Sequence, residues 1–167
     1  MEWMILPLKR YFEFGGRSRR KEYWMFILFT IIVGAVLGVL DAVLGLDFNS
    51  DDTGSFRGGN GVLGSLFSLA TLIPSISVAV RRLHDTDRSG WWLLMPIGLI
   101  FVAAILAGFL GVFSGGMAGV GLGIGLIALV VIASAIVLLV FLCLDGTRGP
   151  NRFGPDPKGA DLAEVFG

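Results

Sequence analysis

The sequence predicts an all-α membrane protein, with four transmembrane helices in an antiparallel bundle and both termini cytoplasmic. Three observations carry this reading. Apolar runs at about residues 24–46, 62–80, 91–113 and 120–144 are each close to the roughly 20 helical residues that cross a hydrocarbon core of about 30 Å. The chain of 167 residues is 54% hydrophobic and 16% charged, with a mean hydropathy of +0.81, whereas soluble domains carry about 25% charged residues. Finally, all but one of its 13 Lys and Arg residues fall at the termini or between the second and third runs; only Arg57 lies between the first and second. The excess of cations marks cytoplasmic segments, so it places both termini and the 81–90 loop on that side.

This divides the chain into an N-terminal interfacial segment (1–22), a four-helix transmembrane domain (23–145) and a cytoplasmic C-terminal tail (146–167). Residues 1–16 mix Trp3, Ile5, Leu6, Leu8, Tyr11, Phe12 and Phe14 with Lys9, Arg10 and Glu13. The apolar stretch is too short to span, so it is expected to lie in the headgroup region; a frayed tail is the alternative. No small-residue cleavage site precedes the first long apolar run, so that run is expected to be retained as a span.

The first run begins at Trp24 and carries Asp41 late in its length. Two outcomes are open: the span ends near Leu40, which the degrading sequence after it favours, or Asp41 faces the bundle interior. Residues 47–61 are rich in Gly, Asn, Ser and Asp and read as an acidic outer loop containing Asp47, Asp51 and Asp52. The second run contains Pro74, which removes a helix N–H and needs a neighbour to satisfy the freed carbonyl. The third opens on Trp91 and Trp92, interfacial anchors matched by Tyr23 and Trp24, and Ser89 is placed to cap it. An uncharged turn, 114–119, leads to the fourth. Gly34 and Gly38, Gly111 through Gly123 in steps of four, and Gly121 with Gly125 put small residues on single helical faces, the pattern of close helix packing. The lone Cys143 excludes an intramolecular disulfide and reads as a small apolar packing residue.

The densest chemistry lies in three polar blocks that four antiparallel spans deliver to one side. The first is GRSRRKEYW, with Arg17 and Arg19. The second is RRLHDTDRSGWW, with Arg81, Arg82, His84, Asp85 and Arg88. The third runs from Asp145 through GTRGPNRFGPDP, with Arg148, Asn151, Arg152 and Asp156. These blocks resemble the signature segments of the YhaH-like small bacterial inner-membrane proteins, the family of domain of unknown function 805, and the resemblance covers nearly the whole chain. It implies a four-helix inner-membrane protein and no established reaction. One departure is Asp87, which stands where the family pattern implies glycine before Arg88-Ser89-Gly90.

Two arrangements suit these residues. The arginines pair internally with Asp85, Asp145 and Asp156, or they hold a phosphate or carboxylate from outside. His84 and Asp85 are sequence neighbours and point about 100° apart on a helix, so a metal site would need Asp145 or Asp156 to converge on His84. No metal, cofactor or nucleic-acid partner is expected. The leading functional reading is a non-enzymatic protein of the lipid bilayer whose polar cytoplasmic cluster stabilises the helices and binds an anionic lipid headgroup or a protein partner. Alternatives are a small transporter or channel, which would need a homo-oligomer to form a path because spans two to four carry no acid or base, and a lipid-phosphate enzyme using Arg81, Arg82, His84 and Asp85.

Overall fold

The computed structural model describes residues 2–46, 61–114 and 117–159. It is helical: α1 (Glu2–Lys9), α2 (Arg20–Leu44), α3 (Val62–Asp85), a 3-10 turn at Gly90–Leu94, α4 (Met95–Ser114) and α5 (Met117–Cys143). Among the described residues, four stretches are long and apolar enough to cross a membrane: Arg20–Leu44, Val62–Asp85, Gly90–Phe109 and Gly121–Cys143. The acidic loop with Asp47, Asp51, Asp52 and Arg57 lies outside the described residues, as do the last eight residues.

α2 and α3 run antiparallel, with Glu22 against Arg81 at one end, Phe29 near Phe67 in the middle and Asp41 against Leu63 and Gly64 at the other. α4 and α5 form a second antiparallel hairpin. There a Cβ added to Gly123 would come within 2.8 Å of the Ala107 Cβ, so glycine is what permits the approach. The expected packing role does not extend to Gly34, Gly121 and Gly125, which face open space. Gly38 is buried and Gly115 lies outside the described residues.

The distribution of burial is that of a molecule solvated by lipid. Large apolar side chains such as Phe101, Ile105, Phe109, Leu122 and Leu129 face outward, while the apolar interior comprises Phe26, Val78, Ala79, Leu83, Ala103 and Leu142. Charged groups are buried instead: Arg17, Glu22, Asp41, Arg81, Arg82 and Asp85.

Asp41 corrects the favoured expectation for the first span. α2 continues past it to Leu44, and the fully buried carboxylate accepts N–H bonds from Leu63 (3.0 Å) and Gly64 (2.8 Å). It caps the start of α3 from a neighbouring helix, meeting both the orphan donors and the positive end of the helix dipole. Gly61 lies so close that a Cβ there would overlap this carboxylate. α2 then ends on Gly45 at φ 64°, with Leu46 N–H bonded to Asp41 O and Gly45 N–H to Ala42 O, a left-handed termination that favours glycine.

The N-terminal segment is docked rather than frayed. α1 packs on α2 and α3. Beyond it, Tyr11 donates its hydroxyl to Ala70 O at 2.7 Å, the carbonyl that Pro74 leaves without a helix donor. Ser77 donates to Glu13 O, and Ser18 N–H bonds Arg81 O at 3.1 Å, so the segment is fastened along α3. Ser89 sits at the expected cap position, but it precedes a 3-10 turn and its side chain makes no capping bond.

A candidate site at the charged end of the helices

The three polar blocks meet at the end of α3. Asp85 is their centre. Arg17 places Nε and Nη2 each 3.0 Å from Asp85 Oδ1, and Arg82 Nη1 pairs with Oδ2. The third block closes on the same residue through Thr147, whose N–H bonds Asp85 O at 2.8 Å. Gly146 passes so near that any side chain there would overlap the Asp85 carboxylate. Arg17 also donates to Gly149 O (2.6 Å) and Thr147 O (2.5 Å), so one guanidinium ties the N-terminal segment to α3 and to the tail.

Arg82 does further work at the end of α5. Its Nε donates to Leu142 O at 3.1 Å and its Nη2 to Leu144 O, while Arg20 Nη1 donates to Cys143 O at 3.2 Å. A helix C-terminus leaves carbonyls without donors and carries partial negative charge, and these cations answer both needs. Arg81 takes the other side of the cluster, 3.1 Å from Glu22 Oε1, with both side chains buried. The two groups are close but off-axis, so the contact is an ion pair without an aligned hydrogen bond. Glu22 lies in the first turn of α2, where negative charge is favoured.

The tail folds back under α3. Asn151 donates to His84 O (2.9 Å) and Thr147 Oγ1 (3.0 Å) and accepts from Phe153 N–H (2.9 Å). The His84 ring stacks on Phe153 with centroids 3.9 Å apart, and its Nδ1 lies 3.2 Å from Gly16 O. Histidine therefore faces the tail and a backbone carbonyl rather than Asp145 or Asp156. Among the described residues, no three His, Cys, Asp or Glu side chains are grouped as metal ligands would be. Arg152 pairs with Asp87 at 3.1 Å, Arg19 donates to Pro157 O at 2.8 Å, and Arg88 lies over the Phe141 ring at 3.9 Å. Asp156 accepts from Lys158 N–H (2.9 Å) and Gly149 N–H (3.0 Å). The Lys158 N–H chiefly holds its carboxyl below its ordinary range; burial opposes this, and the Gly149 N–H and the charges of Arg17 and Lys158 add to the lowering.

Two of the three expected acids differ from the sequence reading. Asp85 pairs with arginines as anticipated. Asp145 pairs instead with Arg20 and Lys158, and Asp156 binds backbone N–H groups. Arg148 is exposed and makes no hydrogen bond or ion pair with a described residue. Sequence reasoning missed Glu22 as the partner of Arg81. Its spacing of four from Phe26 puts both on one face of α2, but only the structure shows that this face is the inward one. It also misread Cys143, which is exposed at the last turn of α5.

The α3 end also explains the departure at Asp87. Arg88 N–H bonds Leu83 O and Asp87 N–H bonds His84 O, both at 3.0 Å, with Asp87 at φ 57°. This is the same left-handed termination that Gly45 provides for α2, and it is the reason a glycine suits the position.

Spanning helices with an ionic cluster buried at one end define a multi-pass α-helical membrane protein. The chain belongs to the family described as "Protein of unknown function (DUF805)", whose model matches residues 11–155. It is 41% identical over 158 residues to "Inner membrane protein YhaI" of Escherichia coli strain K12, covering 95% of this chain and 97% of that one. It is 40% identical to "Inner membrane protein YhaH" of the same strain, covering 95% and 98%. A more distant relative is "Uncharacterized protein YiiR" of that strain, 28% identical over 148 residues, covering 88% and 87%. No solved structure matches the chain. Together with the four span-length helices, these relatives identify a protein of the bacterial inner membrane.

Proposed function

We propose that this protein is a non-catalytic component of the inner membrane whose charged end faces the cytoplasm. There the three polar blocks close into a cap that fixes the helices and presents its remaining cations to an anionic lipid headgroup or a protein partner. The observation that carries the reading is the convergence on Asp85 of Arg17, Arg82 and Thr147, one from each block. Donors of Arg17 and Arg82 are spent inside the protein, so an external phosphate reaches the exposed rim and not the cluster's centre. The same arrangement argues against a lipid-phosphate enzyme, since His84 is engaged by Phe153 and Gly16 O.

The cytoplasmic assignment rests on where the cations fall. A C-terminal green fluorescent protein fusion should fluoresce and a C-terminal alkaline phosphatase fusion should stay inactive. The opposite pair of results would turn the cap to the other face of the membrane and end the reading.

A further inference from the structure

Arg20, Lys21, Trp24 and Met25 occupy positions i, i+1, i+4 and i+5 of the first two turns of α2. They face away from Glu22 and Phe26, which point inward. With Cys143 they line a groove of about 470 Å³ between the start of α2 and the end of α5. That volume falls within the roughly 300–1,000 Å³ of small-molecule sites. The groove is graded along α2: two cations in its first turn, then an indole 38% exposed and a thioether one turn on, with Cys143 of α5 on the opposite wall.

Charge at its mouth is unbalanced. Asp145 already holds Arg20 and Lys158, while Lys21 is exposed and makes no ion pair or hydrogen bond with a described residue. Among the described residues, Asp145 is therefore shared by two cations and Lys21 is left without a partner. The positive end of the α2 dipole and the negative end of the α5 dipole meet here and offset, so the side chains set the local potential. Trp24 lies one helical turn below the cations, where an amphipathic ring marks the boundary between headgroups and hydrocarbon.

We propose that this groove seats an anionic phospholipid, its phosphate on Lys21 and the outer edge of Arg20, its glycerol and upper acyl chain along Trp24, Met25 and Cys143. The proposal rests on the cap reading and gives its anionic group a place and a chemical class. Polar order in the groove matches polar order in the lipid, and a soluble anion would leave the Trp24–Met25 half empty.

The test uses the purified full chain in neutral detergent micelles, examined by native mass spectrometry with phosphatidylglycerol, phosphatidylcholine or inorganic phosphate added in separate arms. A cation near an anionic headgroup contributes about fivefold in affinity. Lys21→Gln should lower phosphatidylglycerol retention about fivefold, and Arg20→Gln with Lys21→Gln should abolish the preference over phosphatidylcholine. Arg57→Gln, between the first two spans, should leave retention unchanged. Equal retention of the two lipids by the unaltered protein would overturn the proposal. So would an equal loss in the Arg57 variant, or displacement of phosphatidylglycerol by equimolar phosphate. Lys21→Gln disturbs no pair among the described residues, so it stays informative if the double variant unfolds. A failed groove with normal melting leaves the cap standing; loss of the cap appears instead as normal melting of Asp85 variants.

Discussion

Arg17 and Asp85, 68 residues apart, are joined by two contacts of 3.0 Å to a single carboxylate oxygen, and both side chains are buried. Removing one member of such a group leaves the others charged and unpaired, which costs about 3–5 kcal/mol. Asp85→Asn should therefore lower the melting temperature in detergent markedly and expose the chain at Arg148 and Arg152 to trypsin. A variant that melts like the unaltered protein and keeps its tail protected would show that Asp85 does not organise the cluster.

Arg82 and Arg81 are neighbours with different duties, and lysine should distinguish them. Arg82 spreads its donors over Asp85, Leu142 O and Leu144 O, a forked geometry that a single ammonium cannot reproduce. Arg81 makes its ion pair with Glu22, without an aligned hydrogen bond. Arg82→Lys should cost about 2–3 kcal/mol and Arg81→Lys about 1 kcal/mol. Equal losses in chemical denaturation would refute the division of roles.

At Asp87 the backbone is left-handed, which costs an ordinary L-residue about 1 kcal/mol. Its exposed ion pair with Arg152 contributes at most about as much. Asp87→Gly should accordingly be neutral to stabilising, whereas Asp87→Ala keeps the strain, loses the pair and should destabilise by about 1 kcal/mol. Melting curves that rank alanine above glycine would contradict the helix termination described for α3.

Tyr11 and Pro74 form a thermodynamic pair. Tyr11→Phe leaves Ala70 O without its donor and should cost about 1–2 kcal/mol. Pro74→Ala restores a helix N–H four residues on, so the same tyrosine substitution should cost much less in that background. Equal costs in the two backgrounds, within about 0.5 kcal/mol, would mean that the hydroxyl does not serve the proline.

The spans were legible because hydropathy needs only composition over a window, and the shared side of the three blocks followed from counting four crossings. The centre of the cluster was half legible: Arg17, Arg82 and Asp85 stand out as charges beside hydrocarbon. Glu22 did not, because its direction depends on the rotation of α2, which a run of near-uniform hydrophobicity leaves unspecified. Asp41 was misjudged for a related reason. A window average sees an acid ending a span, whereas its role is set by the through-space position of the α3 N-terminus. Carbonyl acceptors such as Leu142 O, Thr147 O and Gly149 O have no sequence signature at all. By contrast, the odd residue at 87 was visible, and the positive φ supplies its physical meaning.

The central claim is that Arg17 and Asp85 lock the N-terminal block, α3 and the tail into one unit. The most direct measurement is a double-mutant cycle of Arg17→Met and Asp85→Asn, read by reversible unfolding of the full chain in detergent. The account predicts a coupling of about 2–3 kcal/mol, toward the upper end seen for residues in one network. Additive losses, within about 0.5 kcal/mol, would contradict it.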